Sequence, residues 1–208
     1  MTRIIWALVA AAALTVTTAV SQVGARESAS VARAAPAAAP KPLPAPLPAP
    51  AAPLVVRHIL PIAGTMKLGE WHWDEEGAPA AGRLVVTADL QAGTLSVFRD
   101  GWEIGTAAII YGRDDKPTPL GAFPILQKDA DHASRTYGGA PMPFTLRLTD
   151  DGVAIHGSTG VAAGNATHGC LAVPTPFAKK LFAAAKVGDL VLVTRGRRLD
   201  MGGAITHG

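Results

Sequence analysis

The sequence predicts a mainly β domain that carries one packed helix near its C-terminal end. Three observations support this fold class: short stretches of alternating apolar and polar residues recur from Arg83 onward, turn signals separate them, and only one stretch has helical periodicity. Alternation with a period of two is typical of strands, because successive strand side chains point to opposite faces of a sheet. We therefore expect strands to form most of one core.

The strands are predicted as hairpins. LVVTADL leads through QAGT into LSVFR, and Asp100–Gly101, a strong two-residue hairpin signal, leads into WEIGTAAIIY. TPLGAFPIL indicates a turn that enters another strand. FTLRL and VAIHG flank the Asp150–Gly152 turn, so they are expected to pair and to place His156 at a strand end.

One helix is predicted after these strands. Thr175 is its expected N-cap, Pro176 its first residue, and Gly188 follows its end. The apolar stripe consists of Phe177, Leu181, Phe182 and Ala185. The segment LVLVT then completes the domain as a buried strand.

The N-terminal residues predict export. Residues 1–25 contain one cation, Arg3, an apolar run, and small residues placed like a cleavage site, which is the pattern of a signal peptide. An uncleaved membrane anchor is the alternative, because an apolar run of about 17 residues is at the lower limit of a span. Residues 26–54 are rich in alanine and proline and indicate a disordered linker without a core of its own.

The remaining boundaries follow from composition. Residues 55–82, with the aromatic and acidic segment GEWHWDEEGAP, are expected to pack on the domain as an N-terminal extension. Residues 83–194 form the predicted domain, and residues 195–208 are expected to be a flexible tail. The net charge of +3 arises in the flanks, since residues 83–194 hold equal numbers of basic and acidic residues, so nucleic acid is not an expected partner.

The single cysteine, Cys170, has three possible roles. It lies in the segment GNATHGCLAVP, two residues after His168 and downstream of His156. A free cysteine is often a buried, inert residue. Zinc binding by the two histidines and the thiol would lack a fourth ligand and matches no common spacing. A nucleophilic thiol needs a base within hydrogen-bond reach, and the loop after His156 is long enough to return Cys170 beside it.

Among these three roles, the resemblance of two motifs to a known family favours the nucleophile. VAIHGS and ATHGCLAVP resemble the active-site signature of the L,D-transpeptidases with a YkuD-type catalytic domain, and the similarity extends from Arg83 to Thr194. The resemblance implies a β-sandwich or barrel-like domain of the YkuD type. It implies Cys170 as nucleophile and His156 as the residue that accepts and returns its proton. Gly157 would orient that histidine through its carbonyl, and Thr167, His168 and Gly169 would line the oxyanion site.

Two departures accompany the resemblance. Ala172 stands two residues after the cysteine, where the family usually has arginine or asparagine, and the interval between His156 and Cys170 is short. The departure at Ala172 affects acceptor choice and rate, and the short interval implies a reduced cap over the site. Neither removes a group needed for acyl transfer.

The resemblance also implies a reaction and its partners. Cys170 would attack the third residue of a peptidoglycan stem tetrapeptide, release D-alanine, and pass the acyl group to an amine to form a 3→3 cross-link. Water as acceptor would make the protein an L,D-carboxypeptidase, and a protein lysine would make it a wall-anchoring enzyme. A non-catalytic wall-binding module is a further alternative. A carbapenem is the expected covalent inhibitor, no metal or organic cofactor is implied, and the periplasm or cell envelope is the expected location.

Overall fold

A computed structural model describes residues 54–135 and 137–206 of the 208-residue chain. The predicted signal peptide and nearly all of the predicted linker lie outside the described residues. Within the described ranges, no helix combines the length and the apolar character that a membrane span requires.

The described chain forms twelve strands and one α-helix. In order they are β1 (Leu54–Val55), β2 (Trp71–Trp73), β3 (Leu84–Asp89), β4 (Thr94–Arg99), β5 (Trp102–Ala108), β6 (Gly121–Pro124), β7 (Gln127–Asp129), β8 (Thr145–Arg147), β9 (Ala154–Ser158), β10 (Leu171–Pro174), α1 (Thr175–Ala184), β11 (Leu190–Thr194) and β12 (Ala204–Ile205). The predicted class, mainly β with one packed helix, is confirmed.

The larger sheet has six strands in the order β2-β5-β4-β3-β11-β6. Asp100 and Gly101 connect β4 to β5 with φ values of 48° and 83°, the left-handed conformation that a tight hairpin of this kind needs at both turn residues. The predicted hairpin is therefore confirmed. Strand β11 lies between β3, to which it is parallel, and β6, to which it is antiparallel. It therefore joins strands to the sheet that are distant from it in sequence.

The smaller sheet has four strands in the order β10-β9-β8-β7. The predicted pairing of FTLRL with VAIHG is present as the antiparallel pair β8–β9. Strand β10 lies parallel to β9, with Leu171 opposite Ile155 and Ala172 opposite His156. This register brings the segment after Cys170 alongside the strand that carries His156.

The main core lies between the two sheets and makes the domain a sandwich. The core-facing residues of both sheets are apolar and buried, among them Val86, Leu95, Val97, Ile155, Leu171, Val173 and Val191. Helix α1 adds Phe177, Ala178 and Leu181 to this core. Trp71 and Trp73 of β2 contact the Phe177 ring edge-on, with ring centroids 6.4 and 5.5 Å away.

The start of helix α1 differs from the prediction by one residue. Thr175 is the first helical residue rather than the N-cap, Pro174 occupies the N-cap position, and no side chain caps the helix. The Thr175 hydroxyl is buried without a hydrogen-bond partner in the structure. Strand β10 runs directly into the helix, so Pro174 ends the strand and leaves no loop residue free to cap.

The predicted flexible tail is also wrong for its described part. Residues 204–205 form β12, which pairs antiparallel with β1, and Ile205 is buried in a second cluster with Val56, Phe98 and Leu192. The two ends of the described chain thus cover the outer face of the larger sheet. We name this pair of segments, residues 54–60 and 195–206, the terminal clasp.

Candidate active site

His156 lies in the middle of β9, on the face of the smaller sheet opposite the main core. Its neighbour Ile155 faces that core, and strand alternation places the imidazole on the other side. The His156 Nδ1 atom lies 3.0 Å from the carbonyl oxygen of Gly157. Because a carbonyl only accepts hydrogen bonds, Nδ1 carries the proton in this contact and Nε2 is left as a basic nitrogen.

The surroundings of His156 favour its neutral form. Burial lowers the pKa of His156, the hydrogen bond to Gly157 acts in the opposite direction, and the electrostatic effect of His132 lowers the pKa further. A neutral imidazole with a free Nε2 can accept a proton. The residue therefore has the ionisation state that a general base requires.

Cys170 stands at the residue before β10, half-buried. Its sulfur lies 3.7 Å from the Gly152 carbonyl oxygen, to which the thiol donates. Burial raises the pKa of Cys170, and the negative charge of Asp151 raises it further, against the backbone amide of Ala154, which lowers it. The resting cysteine is thus a protonated thiol.

The β9–β10 register brings the two groups onto neighbouring segments. Ala172 is opposite His156, and Cys170 precedes Ala172 by two residues, in the segment that leads into β10. Among the hydrogen bonds of the described residues, none joins the thiol to the imidazole. Proton transfer between them therefore requires rotation of the thiol away from Gly152.

The loop before Cys170 contains the other predicted site residues. The Thr167 hydroxyl donates to the Cys170 carbonyl at 2.5 Å, and the Thr167 amide donates to the Tyr111 carbonyl at 3.0 Å. Gly169 is buried with a φ of 98°, a conformation that L side chains rarely adopt. The His168 side chain is exposed and does not join His156, since it stacks on Tyr137 with ring centroids 4.1 Å apart.

Residues 130–135 and 137–144 belong to a flap that sequence reasoning did not identify. Backbone hydrogen bonds pair Phe144 with Ala130 and Met142 with His132, and the Gly157 amide donates to the Pro143 carbonyl at 2.8 Å. Near its base, Asp129 Oδ2 lies 3.1 Å from His132 Nδ1. The flap therefore links the strand of His156 to the loop of His168.

A second feature that was not predicted is the close approach of Gly112 to the cysteine loop. Gly112 forms a β-bridge with Thr167, and a Cβ atom at Gly112 would lie 2.8 Å from the Gly169 nitrogen. No signal in a single sequence indicates this contact, because the two glycines are far apart along the chain.

The departure at Ala172 has a structural counterpart. Ala172 is 1% exposed and packs with Ile110 and Val161 in a small apolar cluster. Its backbone exchanges hydrogen bonds of 2.9 and 3.1 Å with Ile110. Apolar packing thus occupies the position where the family usually has a polar group. A longer polar side chain at residue 172 would have to displace this cluster.

The arrangement does not resemble a metal centre. Within residues 54–135 and 137–206, no three histidine, cysteine, aspartate or glutamate side chains are placed to hold an ion. The zinc alternative for His156, His168 and Cys170 therefore has no structural support.

This β-sandwich carries a thiol at the entry to β10 and a neutral imidazole on the neighbouring strand β9, which are the groups that cysteine-based acyl transfer uses. The YkuD family model, described as an L,D-transpeptidase catalytic domain, matches residues 83–193. The chain belongs to this family.

Individual relatives agree with this assignment. L,D-transpeptidase 1 of Mycobacterium tuberculosis is 30% identical over 136 residues, which cover 57% of this chain and 53% of the relative. The chain spans about half the length of the curated relatives it matches. The crystal structure of an L,D-transpeptidase from Mycobacterium tuberculosis H37Rv is 25% identical, with a TM-score of 0.50 over 53% of this chain and 57% of that one. The L,D-transpeptidase structure from Stackebrandtia nassauensis is 27% identical, with a TM-score of 0.50 over 55% of this chain and 56% of that one.

Proposed function

We propose that the protein is an exported cysteine L,D-transpeptidase that acts on peptidoglycan stem peptides. The observation that carries the proposal is the His156 imidazole, whose Nδ1 is held by the Gly157 carbonyl and whose Nε2 has no hydrogen bond among the described residues, on the strand that lies beside the segment of Cys170. This arrangement supplies a nucleophile, a base, and a group that orients the base.

In the first half of the reaction, the thiol rotates from Gly152 toward His156 and loses its proton to Nε2. The sulfur attacks the carbonyl carbon of the third stem residue, and a C–S bond forms. His156 then gives the proton to the departing amine, so the C–N bond breaks and D-alanine leaves. The acyl group remains on Cys170 as a thioester.

In the second half, an amine acceptor attacks the thioester carbonyl and His156 takes the amine's proton. The C–S bond breaks, the sulfur regains a proton, and an amide forms as a 3→3 cross-link. The backbone amides of His168, Gly169 and Cys170 are the groups proposed to bind the oxyanion in both halves. The Thr167 hydroxyl would hold the shape of this loop through its hydrogen bond to the Cys170 carbonyl.

The location of the protein is part of the proposal. The apolar N-terminus and the alanine- and proline-rich linker favour export to the periplasm or cell envelope, with a retained membrane anchor as the alternative. N-terminal sequencing of the protein recovered from its host distinguishes cleavage near residue 25 from retention.

The experiment that tests the function is mass analysis of muropeptide products after incubation with purified stem tetrapeptides. Cross-linked dimers with loss of D-alanine are expected from the wild type, and none from Cys170→Ala, because no other thiol exists in the chain. Hydrolysed tripeptides alone would establish the carboxypeptidase alternative. A Cys170→Ala protein that retained full turnover would exclude the mechanism.

A further inference from the structure

A cavity lies on the side of the sandwich away from Cys170. It has a volume of about 270 Å³ and lies between the larger sheet and the terminal clasp. Six of its sheet residues alternate along β3, β4 and β11 with residues of the main core, and they are Thr87, Asp89, Thr94, Ser96, Leu192 and Thr194. Phe98 of β4 and Glu103 of β5 complete the sheet side of the lining. The cavity therefore opens on the outer face of the larger sheet, whereas His156 projects from the outer face of the smaller one.

The outer wall of the cavity comes from segments beyond the family match. Ile59 precedes the matched range, and Arg197, Arg198, Leu199, Asp200 and Thr206 follow it. The site is thus a product of the terminal clasp. It shares no lining residue with the predicted catalytic group.

The two buried acids of the cavity are already bonded to the protein. Asp89 accepts hydrogen bonds from the amides of Gly196 and Arg197 at 3.0 and 2.6 Å, from two further amides, and from the Thr194 hydroxyl at 2.9 Å. Glu103 accepts from the Leu60 amide at 2.9 Å and from Ser96. Burial raises the pKa of Glu103, which favours its neutral form.

Other polar groups of the lining retain bonding capacity for a ligand. Arg197 and Arg198 form no ion pair within the described part of the chain, and no side-chain hydrogen bond is present there for Thr87, Thr94 or Thr206. Guanidinium groups donate, and hydroxyls both donate and accept. Phe98 and Leu199 supply apolar surface beside them.

The charges of the lining restrict the class of ligand. An anion would lie near the carboxylates of Asp89 and Asp200, and a cation would lie near two guanidinium groups, so each would meet repulsion in a partly enclosed site. A neutral ligand with many hydroxyls meets neither kind of repulsion, and it can hydrogen-bond to both the donors and the acceptors of the lining. The volume is below the range usual for drug-sized ligands, about 300–1,000 Å³, which favours a single ring with its substituents.

We infer that this cavity binds a neutral, polyhydroxylated ring of monosaccharide size. The ligand can be a free sugar or one unit of a glycan strand, since both present the same chemistry. The inference does not depend on the chemistry of Cys170.

The test is an NMR titration of the ¹⁵N-labelled protein with N-acetylglucosamine and, separately, with its linear trimer. Saturable shifts are expected at the amides of Thr87, Thr94 and Thr206 and not around Cys170. Stronger binding of the trimer would indicate a glycan strand as the source, and equal binding would indicate a single sugar. Inorganic phosphate and methylamine serve as the anionic and cationic probes, and neither is expected to produce these shifts.

Matched variants make the result specific. Thr94→Val removes one hydroxyl with little change of shape, and Arg197→Gln removes one guanidinium. Each substitution is expected to raise the Kd for the sugar by about tenfold, because a hydrogen bond is lost. Arg195→Gln is the control, because Arg195 is exposed and outside the lining. The inference is overturned if neither sugar gives saturable shifts at these amides, if phosphate or methylamine gives them instead, or if Arg195→Gln weakens binding as much as Arg197→Gln does.

Discussion

The contact between Gly112 and the cysteine loop gives a quantitative prediction for Gly112→Ala. The backbone of Gly112 does not have a positive φ, so alanine fits its conformation and only the added methyl matters. That methyl would lie 2.7 Å from the Thr118 nitrogen and 2.8 Å from the Gly169 nitrogen, and still nearer to the Lys116 carbonyl oxygen. Since non-bonded contacts are optimal at about 3.5–4.0 Å, the neighbours must move by roughly 0.7 Å or more.

A displacement of this size acts directly on the loop that presents Cys170. A misplacement of about 1 Å at a reacting group can reduce a rate by about 10²-fold, so we expect a loss of that order in kcat/KM. Overpacking in a dense region costs about 1–3 kcal/mol, so the free energy of unfolding should fall by that amount while the protein remains folded. Steady-state kinetics with a stem tetrapeptide and urea unfolding measure the two effects.

The control is the same substitution in the loop between the two candidate catalytic residues. At Gly160 an added Cβ would lie 3.4 Å from Asn165 Nδ2 and 3.6 Å from Ser158 Oγ, both side-chain atoms that can adjust. Gly160→Ala should therefore keep most of the activity. Full activity in Gly112→Ala, or an equal loss in Gly160→Ala, would refute the reasoning.

Three further predictions concern charge and pH. Because burial raises the pKa of Cys170, alkylation of the thiol by iodoacetamide should be slow at neutral pH and should accelerate only above the ordinary thiol pKa; fast labelling at pH 7 would contradict this. Replacement of His132 by glutamine removes an ionisable group whose electrostatic effect lowers the pKa of His156, so the acidic limb of the kcat/KM profile should move to higher pH; an unchanged limb would count against the coupling. Burial alone would raise the pKa of Asp89, but the hydrogen bonds from the amides of Ala92 and other residues outweigh this effect and lower the pKa. The ionised Asp89 therefore stabilises the fold above the ordinary aspartate pKa, and this stabilisation is lost as the pH falls through the lowered value. Asp89→Asn should cost about 1–3 kcal/mol at pH 7 in urea unfolding and should remove this part of the acid dependence, and wild-type stability at pH 7 would contradict it.

Local sequence signals predicted the parts of the fold that local physics determines. The Asp100–Gly101 turn and the VAIHG strand are encoded by turn residues and alternation within a few positions, and the structure has both. The pairing of β1 with β12 was not predicted, because two-residue strands at opposite ends of the domain carry no periodicity to read. These two strands are buried only against the outer face of the larger sheet, which must form first.

The candidate site shows the same division. The motif predicted His156 at a strand end and Cys170 in a loop that returns beside it. The structure has His156 in the middle of β9 and Cys170 directly before β10, and the direction of the thiol toward Gly152 depends on a rotamer. The stacking of Tyr137 on His168 depends on a turn-rich flap whose course no alternation indicates. Sequence reasoning therefore selected the candidate reacting groups, and tertiary packing determined their resting geometry and their neighbours.

The most direct test of the account is covalent trapping of the nucleophile with a carbapenem, whose strained lactam is an acyl donor for a thiolate. Intact-mass and peptide mapping should show one adduct, on Cys170, formed by the wild type and absent from Cys170→Ala. His156→Gln should slow its formation by about 10²–10⁴-fold, the range for loss of a general base. An adduct on another residue, or formation at the wild-type rate without His156, would contradict the proposed pairing of thiol and imidazole.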